Sequence, residues 1–296
     1  MTEFNNQHSA LIAVDPSAVA AAESVKARIQ SAYIMALRKP RNEDQARIRI
    51  LEACKRPAFA ERVEFSKPVA GRKITGPSIR FAELALREWG NVLTETQTIY
   101  EDESIRRIKV GVLDLETNAA FSKEIQIRKT VERKKAEGRE IVGERTNTNG
   151  ERVFIVLATD DELNNKENAL ISKAVRNEGL RLIPSDITDE ALETAKVTMR
   201  DKFSQDPKAE KKKILDAFAG IGIKPNDIGK YLEHSIDTIS PSEIEELRGM
   251  YQAIKDGEAT WASYVSKVEE KEKLKKALDD KIKSGKKDKQ AGPPIE

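Results

Sequence analysis

Apolar and polar positions change period several times along this chain of 296 residues, and each change marks an element. Asp15 and Pro16 supply an N-cap and a first-turn proline, and Val19, Val25, Ile29, Tyr33 and Leu37 then recur at helical spacing up to Pro40, which predicts a helix. A second helix is predicted from about Asn42 to Lys55, with Ile48, Ile50 and Leu51 inward and Pro57 as its stop. From Arg62 to Lys67 the period falls to two, which reads as a strand, and the Pro/Gly-rich run PVAGRKITGPS follows. Ser78 to Trp89 then returns to helical spacing, with Ile79, Ala82, Ala85, Leu86 and Trp89 on one face and Gly90-Asn91 as the C-terminal cap. Ile79, Leu84, Leu86 and Trp89 are predicted core.

Three alternating runs come next, Leu93 to Tyr100, Ile105 to Leu113 and Ala119 to Ile127, separated by acidic or Asn-rich turns. Parallel strands need crossovers of a dozen residues or more, so the short spacing predicts an antiparallel meander with one face under helices and the other polar. Residues 128–151 are basic and aperiodic and read as a mobile arm or a long hairpin, with Val153 to Leu157 as the returning strand. Asp160-Asp161 begins a helix through Asn177 that Gly179 is expected to terminate, and Ile183-Pro184-Ser185-Asp186 begins another to about Phe203. Ser204 to Pro207 is the predicted domain boundary. Beyond it, Ala209 to Ala219, Asn226 to Leu232, Ser242 to Lys255 and Glu258 to Val265 read as short helices, the third opened by a capping box of Ser242 and Glu245. The expected organisation is therefore a flexible N-terminus (1–15), an α+β core (16–203) with the basic arm 128–151, a helical domain (206–266), and a charged helix with a disordered tail (267–296).

Composition narrows the chemistry. At about 150 residues per domain the length suits two domains, and 39% hydrophobic residues can build cores despite 34% charged ones. No window approaches the roughly 18 apolar residues of a membrane span, and the first ten residues lack the marks of a secretory signal. A soluble, cytoplasmic protein is expected, with no membrane partner. The single cysteine, Cys54, rules out an internal disulfide. With it, His8 and His234 are too few for a Cys/His zinc site.

Net charge is only +2, yet its distribution is uneven. Residues 1–24 hold three acids and no base. Residues 25–185 hold 31 bases against 24 acids, and residues 25–80 alone 14 against 5. Residues 186–262 reverse this with 11 bases and 16 acids, and residues 263–296 hold 10 and 7. A polyanion partner for the first block and a protein partner for the second fit this asymmetry; solvated faces of a charge-rich protein are the alternative.

Catalytic motifs do not stand out. Gly71 to Gly76 has the outer spacing of a phosphate-binding loop, but Pro77-Ser78 stands where that loop needs a lysine. Gly220-Ile221-Gly222 lacks the third glycine of a dinucleotide fingerprint and suits a helix cap. Glu101-Asp102 and Asp160-Asp161 sit at turns, where acids serve capping and solvation as well as metals. The expectation is a non-enzyme without metal or cofactor. What remains is electrostatic, a surface that neutralises phosphates without reading sequence. Its candidates are Arg72, Lys73 and Arg80 near the first hairpin, with Lys55, Arg56, Arg62 and Lys67 around it. Arg106, Arg107 and Lys109 lie on the second meander strand. Arg128, Lys129, Arg133, Lys134 and Lys135 lie in the arm, and Lys173, Arg176 and Arg181 on the later helix. Phe65, Tyr100 and Phe121 are the stacking candidates near the strands, so grip on the backbone should dominate over stacking.

The stretch RVEFSKPVAGRKITGPSIRFAELALREWGNV, the meander ending DLETNAAFSKEIQIRK and the helix NKENALISKAVRNEGLRLIPSDI resemble phage and prophage recombination proteins. These are the single-strand annealing superfamily of RecT, Red-beta, ERF and the eukaryotic annealing mediators. The likeness spans about residues 45 to 200. Residues 214–265, most distinctively Leu247 to Gly257, resemble the helical C-terminal module of several phage recombinases. The resemblance implies an ATP-independent recombination protein in the cytoplasm of a bacterial host. Such a protein binds single-stranded DNA, pairs complementary strands, holds the annealed duplex and assembles into rings or helical filaments. It implies phosphate binding by Arg72, Lys73, Arg80, Arg106, Arg107, Lys109, Lys173 and Arg176, and contacts of the C-terminal module with a host single-strand-binding protein or a phage exonuclease. A phage assembly or scaffold protein and a metal-dependent nuclease are the competing readings.

Overall fold

A computed structural model of the chain describes residues 16–69, 72–147 and 150–265. The N-terminus (1–15) and the charged helix and tail (267–296) expected above lie outside the described residues. The architecture is α+β. Helices α1 (Pro16–Arg38), α2 (Glu43–Cys54) and α3 (Pro57–Ala60) lead into a hairpin of β1 (Glu64–Val69) and β2 (Arg72–Pro77), then α4 (Ile79–Trp89). The meander follows as β3 (Val92–Glu101), β4 (Ile105–Asp114) and β5 (Ala120–Arg128), paired antiparallel in that order. Next come β6 (Thr130–Arg133), β7 (Ile141–Thr146) and β8 (Arg152–Leu157), a second antiparallel sheet with β8 in the middle. Two long helices, α5 (Asp160–Gly179) and α6 (Ser185–Gln205), precede α7 (Pro207–Ala219), α8 (Pro225–Leu232) and α9 (Pro241–Lys255).

Local chemistry explains the boundaries. The Ser78 hydroxyl accepts the Phe81 amide and Gly90 turns out at φ 75°, so α4 starts and stops as its caps dictate. Thr159 and Glu162 form a reciprocal capping box for α5. The corresponding box on α9 is Ser240 with Glu243, two residues earlier than the sequence suggested, because Pro241 takes the first helical position. Segment 72–77 is a strand and not a loop: it pairs residue by residue with β1, Gly76 standing opposite Phe65, and Pro77 sits at the strand end.

The helical core joins α2, α4 and α6 through Ile50, Cys54, Phe81, Trp89, Ile187 and Met199. Burial pushes the Cys54 thiol up to about 12. Ile48, expected inward, is 53% exposed, since α2 turns Ala46, Ile50 and Ala53 inward instead. Gly179 does not end a helix in a left-handed turn. Its backbone stays helical, and its missing side chain lets α5 meet α4: a Cβ there would lie 2.6 Å from Leu86 Cδ1. A buried pair pins the layers, with Arg41 donating to Asp114 at 2.9 Å and to the carbonyls of Trp89 and Gly90 while stacking over the Trp89 ring. Burial opposes the Asp114 charge, but Arg41 and the amides of Glu116 and Thr117 outweigh it and keep the carboxyl below its ordinary range.

A separate core, around Phe218, Ile228, Ile244, Leu247 and Met250, belongs to the C-terminal helices, with Phe203 of α6 built into it. The expected boundary at Ser204–Pro207 is a single residue, Asp206, whose carboxylate caps α7. The helical module is docked on the first hairpin. Gly249 of α9 lies so close to Ser66 that a Cβ would come within 2.9 Å of it, and the Tyr264 hydroxyl donates to the Ser66 carbonyl.

Candidate nucleic-acid interface

Strand alternation and register define two faces on the meander. Ile108, Val110, Ile125 and Ile127 turn to one side and pack on Leu163, Leu170, Ile171 and Ala174 of α5. The intervening residues turn to the other. There Gln97 stands opposite Lys109, Lys109 opposite Glu124, Tyr100 opposite Arg107, and Arg107 opposite Gln126, with Arg128 at the next level beside Ile105. Gln97, Arg107, Lys109, Glu124, Gln126 and Arg128 are all exposed. Among the described residues, the far end of this face meets α1, where Arg28 bonds Glu95 at 2.7 Å. Arg107 and Lys109 thus stand about 6.8 Å apart, two residues of antiparallel strand, and Arg128 continues the line diagonally from the neighbouring strand β5. Among the described residues no carboxylate pairs with any of the three. Arg107 lies over the Tyr100 ring, 5.7 Å from its centroid, and Tyr100 is 49% exposed. The result is a polar surface with three cations outside any ion pair, one carboxylate (Glu124), two amides and one aromatic ring, suited to an extended polyanion that also carries ring systems.

The turn that holds Tyr100 is built by Asp102, which accepts the amides of Ser104 and Ile105, the Ser104 hydroxyl and the Tyr100 hydroxyl. These bonds, the Ile105 amide first, pull its carboxyl far below the ordinary range, and the bond to Asp102 pushes the Tyr100 hydroxyl up. Glu101 is held down to about 2 by Arg106 and Lys129. Both acids of this turn are therefore structural. Among the described residues, no three His, Cys, Asp or Glu side chains gather as a metal site would need.

The remaining candidates divide. Arg106 points to the covered side, where it clamps Glu167 of α5 at 2.5 Å and Glu101 at 2.8 Å, and Lys129 joins the same Glu101 at 2.7 Å. Neither faces a ligand on the open surface. The arm is a sheet, and most of its cations meet carboxylates on the sheet itself or on α5, while Lys135 is exposed without an ion pair among the described residues. Arg133 and Arg139 share Glu162, Lys134 bonds Glu151 at 2.8 Å, Arg145 bonds Glu132, and Arg152 bonds Glu144. Glu162 is held down to about 2, first by the Thr159 amide and then by Arg139. Arg80 pairs along its own helix with Glu83 at 3.2 Å. Arg176 is buried on the Phe65 ring and bonded to Glu258 of the C-terminal module. Arg72 and Lys73 are on β2 beside Pro68 and Val69, with side chains outside the described residues. Lys173 is exposed and carries no ion pair among the described residues.

Of the three stacking candidates, Phe65 is buried under Arg176 and Lys67, and Phe121 lies beneath the Arg181 guanidinium at 3.9 Å, which leaves Tyr100. Sequence reasoning missed Gln97, Gln126 and Lys123; the two glutamines were available from the period-two pattern that placed Lys109. No family model, no curated protein and no solved structure matches the chain.

Proposed function

We propose that this chain is an ATP-independent recombination protein of the phage annealing type, which binds single-stranded DNA and pairs complementary strands as a homo-oligomer. The observation that supports it is the open meander face with Arg107, Lys109 and Arg128 unpaired beside Tyr100. On this reading the cations hold one strand by its phosphates and Tyr100 takes a base, leaving the other base edges outward for a second strand to test. Phosphate contacts are independent of sequence, as annealing of arbitrary complements requires. The acidic C-terminal helices serve protein contacts, with a host single-strand-binding protein or a phage exonuclease as candidate partners.

The test is the pairing rate of two complementary oligonucleotides with the full chain, without nucleotide and with chelator, at low and moderate salt. Acceleration that survives chelation and fades with salt is expected. Absence of both acceleration and DNA binding would refute the proposal and bring forward an assembly protein.

A further inference from the structure

The contact between the C-terminal module and the core is polar where it is deepest. Gly257 follows α9 at φ 70°, where a Cβ would lie 3.6 Å from the Ala169 methyl of α5, and the Glu258 and Ala259 amides both bond the Ala253 carbonyl. This turn fixes Glu258 and sends its carboxylate into the core surface, where it is 8% exposed. Two cations meet it there: Lys67 of β1 at 2.6 Å, and Arg176 of α5, whose side chains are 15% and 5% exposed. Phe65 backs both.

The local charge does not balance. One turn before Arg176 on α5 stands Lys173, and Lys123 of β5 lies on the side of the sheet that α5 covers. Burial, then the charge of Lys67, then Arg176 and Lys123, depress the Lys173 ammonium, with Glu258 opposing. The nearby acid on the module is Asp256, which bonds Gln252 at 2.8 Å and whose carboxyl is pushed up by burial; Arg80 also reaches it electrostatically. Two buried cations, Lys67 and Arg176, therefore hold Glu258, with the exposed Lys123 and Lys173 near them and Asp256 as the second acid of the module. A buried cation pair flanked by exposed lysines favours a charged oxyanion.

We propose that Lys67, Lys123, Lys173 and Arg176 form a phosphodiester-binding site of the core, and that Glu258 occupies it as an internal stand-in for a backbone phosphate. The proposal rests on the single-strand binding reading above and deepens it. Nucleic acid and the C-terminal module compete for the same cations, so a bound strand loosens the module and an undocked module strengthens strand binding.

Full-length Glu258→Gln keeps the shape of the side chain and removes its charge. At about 0.7 units of salt slope per phosphate on single strands, freeing two cations predicts roughly 25-fold tighter oligothymidylate binding near 0.1 M salt and a slope steeper by about 1.4. Adding Lys123→Ala and Lys173→Ala to Glu258→Gln should cancel most of the gain. Hydrogen exchange on the unaltered chain is the second measurement and depends on no variant: oligonucleotide should speed exchange across residues 249–264. A gain in affinity together with faster exchange supports the site. Wild-type binding with no gain from Glu258→Gln, or unchanged or slowed exchange on binding, overturns it and leaves the annealing reading standing. Loss of binding in both proteins refutes both.

Discussion

Replacing Arg107, Lys109 and Arg128 together with Gln removes three positive charges from the open face and breaks no ion pair among the described residues. Arg107 and Lys109 stand two residues apart on β4 and Arg128 lies diagonally across on β5, so each can meet a separate phosphate. Three phosphate contacts on a single strand correspond to a salt slope of about 2, at roughly 0.7 per contact, and at 0.1 M salt to about 100-fold in affinity. Fluorescence anisotropy of a labelled oligothymidylate, titrated from about 50 to 200 mM salt, reads both quantities. The variant should bind about 100-fold more weakly at 0.1 M, lose about 2 from the slope and keep its thermal midpoint. Arg106→Gln is the contrast, because that guanidinium bonds Glu101 and Glu167 on the covered side. It should lower the thermal midpoint and leave the slope of the folded protein unchanged. An unchanged slope in the triple variant would show that the strand does not lie on this face.

Three further outcomes follow from the internal contacts. Arg41→Met strands the buried Asp114 and should cost about 3–5 kcal/mol in denaturant unfolding; because that carboxyl titrates lower in the fold, the pair's stabilisation is full above its ordinary value of 3.8 and lost as pH falls through the depressed one, so the gap between the proteins should narrow in acid. Gly179→Val should destabilise by forcing Leu86 aside, and Leu86→Ala in the same chain should recover part of the loss, as a double-mutant cycle would detect. His234, raised first by Glu243 and then by the Ser235 carbonyl, contributes stability that is complete below its ordinary value of 6.5 and lost as pH rises through the raised one. Thermal melts of His234→Gln against wild type should therefore converge on the alkaline side of that window, and a difference that grows with pH would contradict the pairing.

Much of this fold is written locally. Ser78 and Gly90 mark the two ends of α4, Thr159 with Glu162 marks the start of α5, and the period-two runs of the meander identify its strands and put Lys109 and Arg107 on the face away from Ile108 and Val110. Ile48 illustrates where periodicity stops. Its spacing fits an apolar stripe with Ile50 and Leu51, but which side of α2 is covered depends on α4 and α6, far away in sequence. Likewise Ser204 to Pro207 has a linker's composition because Asp and Pro also open helices, and only the packing of Phe203 with Phe218 and Met250 shows that the chain passes through without a break.

The candidate site was harder to read for an electrostatic reason. A charge count along a window treats each cation as available, whereas availability is set by acids that fold back from elsewhere. The most basic stretch, residues 25–80, supplies Arg41 to Asp114, Arg47 to Glu190, Arg49 to Glu88 and Lys67 to Glu258, none of which lies inside the window. Its excess of nine positive charges is thereby much reduced as an external field. The meander adds few net charges, yet its open face keeps three cations unpaired, because alternation sends Arg106 to Glu101 and Glu167 while sending Arg107 and Lys109 away from any acid helix. Face parity within a strand is thus a better guide to a polyanion surface than the charge of the segment, and the same argument singles out Glu258. Glu210 of the module is also buried, against Lys202 and Arg248, but Glu258 is the acid that reaches the cations of β1 and α5, where a phosphate would compete for its place.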